Sequence, residues 1–483
     1  MAEGPRVQDG VPELTAAEAA ATVGDDAVVT VSGFGSVGYP KAVPLALADS
    51  DRDLSLTVIS GGSVGDEIDT AMVEAGAIAR RFPYQATPIA REKVNDGTIA
   101  LHDRHISSLG DDVVFEQLAA PDVAIVEAVA VGADWLVPST SIGQTPAFVE
   151  QAPELIVEVN EVQPRELERF HDVYRPDAPP NREPIPLTDP GERIGGPRVR
   201  LDPDKLRGVV RSDRRDSTYS FRSPTADDRA IAANLREFLE AEMERNALFA
   251  EAVRLQFGVG SLGNALMGEL AETSFGDRDV AYYGEVIQDG LLDLLEAGVL
   301  DVASATTLAL SAEGQDRLFG AIADFEDDVV LRPADVSNSP ELIGRLGVVA
   351  VNSALEVDVY GHVNSTHVNG SRLINGIGGS GDFNRNAAVA AVALPSTASG
   401  GDLSRVVPMV PHVDHTEHDV GVVITEQGVA DLRGLSPRER ATELIEQCAH
   451  PDFRADLRAY YERALEDGGH MPHDLSRAYE WTQ

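Results

Sequence analysis

Short runs of consecutive apolar residues alternate along the chain with stretches whose apolar positions recur every three or four residues. The segment 14–25 opens with LTAAEAAATV, a helical pattern, and DAVVTVS follows as a strand. PKAVPLALADS reads as a helix and LSLTVISGG as the next strand. DEIDTAMVEAGAIARR predicts one helix across residues 66–81, and VAIVEAVAV (from Val123) and ELIVEVN (from Glu154) predict buried strands. Strands that alternate with helices imply an open, mainly parallel sheet, that is, an α/β fold.

From His171 to Arg200 the pattern lapses into a stretch rich in proline and glycine, HDVYRPDAPPNREPIPLTDPGERIGGPR, read as a linker or a loop packed across a domain. A polar segment then precedes a long helix over about Arg229–Asn246, and a domain boundary is expected near residues 212–226. Beyond it the order repeats: helix, short strand RLQF, the loop GVGSLG, the helix NALMGELAE, the strand VAYYG and the helix LLDLLEAG. VISGGSVGDEIDTAMVEAG in the first half parallels YYGEVIQDGLLDLLEAG in the second. The expectation is two tandem related open α/β domains with mainly parallel sheets, residues 1–215 and 216–483, the second carrying the site residue Glu285.

The repeat includes its glycine loop: GFGSVG at Gly33–Gly38 and GVGSLG at Gly258–Gly263. Such a loop between strand and helix permits a tight turn and turns backbone N–H groups toward an anion. In a dinucleotide fold an acid some 20 residues on would hold the ribose. Glu285 stands 22 residues after Gly263, whereas the first copy has Gly61, Gly62 and Ser63 at the matching place. An NAD-linked oxidoreductase or a non-catalytic nucleotide-binding protein therefore stands as an alternative. A third cluster, NGIGGSGDFNRN at Asn375–Asn386, suits close approach of backbone to a ligand. Asp382 and Asn386 within it are read as caps of a helix that follows.

Charge narrows the partners. Eighty acids oppose 39 bases, a net charge of −41, and only three bases are lysines: Lys41, Lys93 and Lys205. A diffuse negative field repels nucleic acid and anionic membranes, so neither is an expected partner. Self-repulsion on this scale is relieved by salt, and the scarcity of lysine points to a salt-rich cytosol, hence a halophile. No run reaches the roughly 20 uncharged residues of a membrane span, and MAEGPRVQDG lacks the features of a secretory signal; a cytoplasmic location is expected. The single cysteine, Cys448, allows no internal disulfide and is read as a buried, inert thiol.

The chain resembles the acetyl-CoA hydrolase/transferase family of class I CoA-transferases. The matching segments are GFGSVGYPKAVPLAL, EAGAIARRFPYQ, PSTSIGQTPAFV and HDVYRPDAPP in the first half. In the second they are GVGSLGNAL, YGEVIQDG, NGIGGSGDF, PHVDHTEHDVGVVITEQGVADLRGLSPRERA and CAHPDFR. The resemblance implies a pair of similar α/β domains with the active site between them, small carboxylates and acyl-CoA as substrates, and a homodimer. It implies no tightly bound cofactor: coenzyme A serves as substrate and as covalent intermediate, a glutamyl-CoA thioester on Glu285. The oxyanion hole and part of the CoA pocket would come from Gly258, Val259, Gly260, Ser261, Leu262, Gly263 and Asn264, with Asn375, Gly378 and Gly379. The family places a base shortly after the third glycine cluster; here PSTASGGD at Pro395–Asp402 has none, which leaves Arg385 and Arg405 as candidate contacts to the CoA phosphates. Water admitted to the same thioester would give acyl-CoA hydrolysis instead. His412, His415 and His418, spaced by three, fit no compact metal motif and are read as structural, with no metal expected. His102, Asp103 and His105 are read either as carboxylate contacts or as packed structural residues.

Overall fold

The computed structural model describes residues 5–217, 222–258 and 260–478. The chain divides into two compact units, one of residues 1–220, 282–295 and 302–342 and the other of residues 221–281, 296–301 and 343–483. Glu285 thus belongs to the first unit, and the second and third glycine clusters to the second.

In the first unit seven strands run parallel in the order Ala100–Leu101, Ile78–Phe82, Leu56–Ser60, Val28–Val31, Val123–Val131, Glu154–Asn160 and Leu206–Ser212. Val123–Val131 is buried along its whole length, as its apolar run, broken only by Glu127, predicts for a central strand. Its first half pairs with Glu154–Asn160 and its second, antiparallel, with Trp135–Pro138. Successive side chains alternate in the usual way: Ile125 enters one core with Val29 and Val31, while Ala124 and Val126 enter the other with Leu155 and Val157. Helices such as Ala42–Ala48 cover the first face, and Thr145–Gln151 covers the second.

The second unit repeats the plan. Ala252–Phe257, Val349–Ser353, Val389–Ala393 and Val422–Thr425 are parallel, and Gly428–Asp431 closes the edge as an antiparallel hairpin. The helices Pro437–Gln447 and Pro451–Asp467 pack on its core. The long helix begins at Ala226 behind a capping box of Thr225 and Asp228 and ends at Arg245.

One expectation needs correction. DEIDTAMVEAGAIARR is not one helix: the helical winding gives way at Gly76, whose φ is 71°, and Ile78–Phe82 is a strand beside Leu56–Ser60. Ile78 and Phe82 are buried, so the second half of the segment carries a strand's burial that the helical reading had absorbed. The stretch 171–200 is mostly irregular, as its composition predicts, but it is pinned: Arg332 is buried against Asp172 and also donates to the Pro190 carbonyl at 2.9 Å.

Candidate active site

Glu285 sits on a corner between the strand Asp279–Tyr283 and the two-residue strand Val286–Ile287. The turn depends on Gly284, where a Cβ would lie 2.5 Å from the Tyr282 hydroxyl. Tyr282 is buried, and burial followed by the Glu285 charge pushes its phenol well above the ordinary range, so it remains protonated. Tyr283 fixes the other side of the corner by donating to the Val336 carbonyl at 2.5 Å.

The Glu285 side chain is half-buried among buried neighbours, and its Oε1 accepts from Asn338 Nδ2 at 2.9 Å. Asn338 is itself oriented. Its Oδ1 accepts from the Ser337 hydroxyl at 3.0 Å, and both residues are fully buried at the end of the helix Ala334–Ser337. The Asn338 amide therefore fixes one carboxylate oxygen of Glu285 in place. Neither Ser337 nor Asn338 stood out in the sequence. DVSNSP is an ordinary polar run between apolar ones, and the only signal in it is three small amide- or hydroxyl-bearing residues, Ser337, Asn338 and Ser339, in an otherwise buried stretch.

The first glycine loop belongs to the same unit and braces this corner. Val286–Ile287 pairs in parallel with Thr307–Leu308. Thr307 donates its hydroxyl to the Phe34 carbonyl at 3.0 Å, and Phe34, Ile106, Val286, Ala309 and Ala334 form a compact apolar cluster. PSTSIGQTP grips the strand from the other side. Leu308 N–H donates to the Thr140 carbonyl at 2.9 Å, and Gly143 N–H to the Thr306 hydroxyl at 3.0 Å. The loop itself is tightly packed; at Gly38, with φ of 66°, a Cβ would lie 2.6 Å from Ser141 Cβ.

The second unit holds the other expected residues. Gly258 follows the strand Ala252–Phe257, Gly260 precedes the helix Ser261–Leu270, and Leu262, Gly263 and Asn264 lie in its first turn, where Asn264 N–H donates to the Gly260 carbonyl at 2.9 Å. Val259 lies outside the described residues. Gly378 and Gly379 precede the helix Ser380–Asn386. Asp382 and Asn386 are therefore inside that helix rather than ahead of it: Asn386 is its last residue and donates to the Asp382 carbonyl at 2.7 Å. An amide chain ties the two loops together. Gln256 on one strand pairs with Asn352 on the next at 3.3 Å, and Asn352 donates to Asn384 of the helix Ser380–Asn386 at 2.8 Å. Unlike Gly38, Gly260 and Gly378 face open space, with nothing within 4 Å of a Cβ built on either. Asn375 donates to the Ser365 carbonyl at 3.3 Å.

The histidines of HVDHTEHD separate rather than converge. His412 meets Asp414 at 3.1 Å, buried His415 meets the Ser380 hydroxyl at 3.2 Å, and exposed His418 meets Glu417 at 3.1 Å. His415 thereby steadies the third glycine loop, because Ser380 also donates to the Ile377 carbonyl at 2.7 Å. Arg385 is exposed and paired with Asp419 at 3.2 Å. Arg405 is half-buried, and burial lowers its guanidinium from the ordinary value while Glu356 and Glu426 oppose that shift. In the first unit His102 packs on the Phe82 ring at 5.7 Å, and His105 precedes the helix Ile106–Val114. Cys448 is buried, and burial pushes its thiol up to about 12.

Fold and corner together define an α/β protein with a held, half-buried carboxylate at a strand end. Comparison with known proteins gives the class. Residues 12–185 match the acetyl-CoA hydrolase/transferase N-terminal domain and residues 314–461 the corresponding C-terminal domain. The chain is 44% identical over 474 residues to the succinyl-CoA:acetate CoA-transferase of Clostridium kluyveri, covering 97% of this chain and 88% of that protein. It is 39% identical to the propanoyl-CoA:succinate CoA transferase of Escherichia coli, covering 97% and 96%. It is 42% identical to an acetyl-CoA hydrolase of Eremothecium gossypii, covering 92% and 89%. Among solved structures, RipA from Yersinia pestis shares the fold with a TM-score of 0.73 at 22% identity, over 94% of this chain and 97% of that one. The chain belongs to the acetyl-CoA hydrolase/transferase family, and it is an enzyme of CoA-ester chemistry.

Proposed function

We propose that this enzyme exchanges coenzyme A between small carboxylic acids such as acetate, succinate and propionate, through a glutamyl-CoA thioester on Glu285. The observation that carries the reading is the Glu285 carboxylate fixed at 2.9 Å by Asn338 on a braced strand corner. A Glu285 oxygen attacks the thioester carbonyl of the acyl-CoA; the C–S bond breaks, leaving a mixed anhydride and CoA thiolate. The thiolate attacks the glutamyl carbonyl, the first acid departs as carboxylate, and Glu285 carries CoA as a thioester. A second carboxylate reverses both steps, so the thioester bond is conserved throughout. Each tetrahedral intermediate calls for fixed hydrogen-bond donors, a role we assign to backbone N–H groups within the loop 258–263 and at Gly378 and Gly379, since the Gly258, Asn264 and Asn375 N–H groups already donate to backbone carbonyls, with Arg385 and Arg405 as contacts for the CoA phosphates.

We regard the chain as two sequence-related domains, 1–215 and 216–483, working as a homodimer in a salt-rich cytoplasm. The charge of −41 with three lysines supports the saline setting. Acetyl-CoA hydrolysis by the same thioester is the second reading, favoured by the 42% identity to a protein of that name. Mixing the enzyme with acetyl-CoA alone is expected to add a CoA-sized mass to the peptide containing Glu285, and Glu285→Gln to abolish both adduct and exchange. An adduct on another residue would overturn the assignment. Free CoA released without an acceptor acid, at the rate of exchange, would select the hydrolase.

A further inference from the structure

Only three of the 39 basic residues are lysines, leaving 36 arginines, and one of the three is fully buried. Lys41 Nζ spends its three donors on the Tyr39 carbonyl at 2.9 Å, Glu127 at 2.6 Å and Asp216 at 2.8 Å. A compact tetrahedral ammonium fits three converging acceptors, whereas a planar guanidinium would not. The Asp216 carboxylate so neutralised reaches two loops at once. Its Oδ1 accepts from Gly38 N–H at 3.3 Å, at the end of the first glycine loop, and its Oδ2 from the Thr140 hydroxyl at 2.5 Å. These two loops grip the strand Thr307–Leu308. Thr307 shares its one hydroxyl proton between the Phe34 carbonyl at 3.0 Å and the Thr140 carbonyl at 3.3 Å, and Leu308 N–H donates to the Thr140 carbonyl at 2.9 Å. That strand in turn pairs with Val286–Ile287, next to Glu285.

We propose that Asp216, neutralised by Lys41, is a positioning residue for Glu285, setting the catalytic corner through Gly38, Thr140 and the strand Thr307–Leu308. The proposal rests on Glu285 as nucleophile. The fixed chain of contacts runs from a buried ion pair to the reacting strand without an exposed link, so a shift at Asp216 is passed on rather than absorbed by solvent. Burial pushes the Glu127 carboxyl up, and the neighbouring Lys41 ammonium opposes that shift.

Asp216→Ala would leave Lys41 charged in the core and risks unfolding, so the deciding variant is Thr140→Val, which cuts one link and leaves the ion pair whole. The expected result is a folded protein whose kcat falls about tenfold with both KM values unchanged, because a displaced nucleophile slows the chemistry without altering substrate binding. Thr140→Ser, which keeps the hydroxyl, should restore the rate. A folded Thr140→Val enzyme with normal kcat, a Thr140→Ser enzyme as slow as the valine variant, or loss of the fold in Thr140→Val would each overturn the proposal. Glu285→Gln in the same assay separates the two ideas: an adduct in that variant sinks the nucleophile assignment whatever Thr140 does.

Discussion

Replacing Asn338 with aspartate changes one atom at the carboxylate and almost no volume. In the native site Asn338 Nδ2 donates to Glu285 Oε1 at 2.9 Å from a fully buried position. A hydrogen bond to a charged group contributes roughly 1.5–3 kcal/mol, so losing it alone corresponds to about 10- to 150-fold in rate if it is kept through the transition state. The aspartate adds a second effect. Two carboxylates at hydrogen-bond distance cannot both ionise cheaply, so the pair retains one proton to a pH above the ordinary carboxylate range. That proton removes the nucleophile, and the loss is largest on the acid side and shrinks as pH rises through the raised value. The measurement is the rate at which acetyl-CoA labels the Glu285 peptide, followed by rapid quench and mass spectrometry across pH. Asn338→Asp should fall by at least about 10²-fold near neutrality and gain a rising acid limb. Asn338→Ala should lose the hydrogen-bond share without the new limb. Labelling by Asn338→Asp at the native rate, with an unchanged pH profile, would refute the claim that this amide holds the nucleophile.

Four further outcomes are expected. Gly38→Ala forces a Cβ to 2.6 Å from Ser141 at a φ of 66°, so its thermal midpoint should drop sharply; an unchanged melt would contradict the packing. Raising KCl from about 0.1 M to molar concentrations should raise the thermal midpoint by screening the charge of −41, and a midpoint indifferent to salt would dispose of the saline setting. Burial, only partly offset by hydrogen bonds to the backbone, lowers the His171 imidazole from 6.5 to about 4; the unfolded chain then binds the extra proton, so stability present above pH 6.5 is lost as pH falls toward 4. His171→Asn should flatten that slope, which amounts to about 3 kcal/mol, as read from denaturant midpoints at several pH values. Cys448 should resist thiol reagents until the protein unfolds, because it is buried and its thiol is pushed up to about 12.

Much of the parallel architecture was legible because buried strands write themselves as apolar runs, as in VAIVEAVAV, whereas the start of the long helix was expected about three residues late because the Thr225–Asp228 cap went unread. The strand Ile78–Phe82 was not legible, because its exposed Ala79 and Arg80 and its buried but charged Arg81 blur period two into the preceding helical pattern. The sharp bend at Glu285 was legible in the glycine beside it. Asn338 was invisible, because its importance comes from a contact 53 residues away in the chain, and nothing in the spacing of DVSNSP encodes that distance. The Lys41–Asp216 pair was hidden for the same reason: lysine is rare throughout the chain, but Lys93 lies at the surface beside Asp96 at 3.5 Å, so rarity alone does not single out the buried Lys41.

The two copies of the glycine loop show that one sequence figure supports opposite structural roles. In GFGSVG the missing side chains make room for the protein itself. Added Cβ atoms at Gly33 and Gly38 would strike Tyr39 and Ser141 at 2.6 Å. In GVGSLG and the third cluster the space beside Gly260 and Gly378 is open within 4 Å. Close packing spends a glycine on rigidity, and open backbone keeps N–H groups available to something outside the chain. The first loop has no acid at the place where the second half carries Glu285, and instead its carbonyl at Phe34 steadies the strand beside that acid. The two copies therefore differ in packing: the first is filled by side chains of its own unit and steadies the strand beside Glu285, and the second leaves the backbone beside Gly260 open.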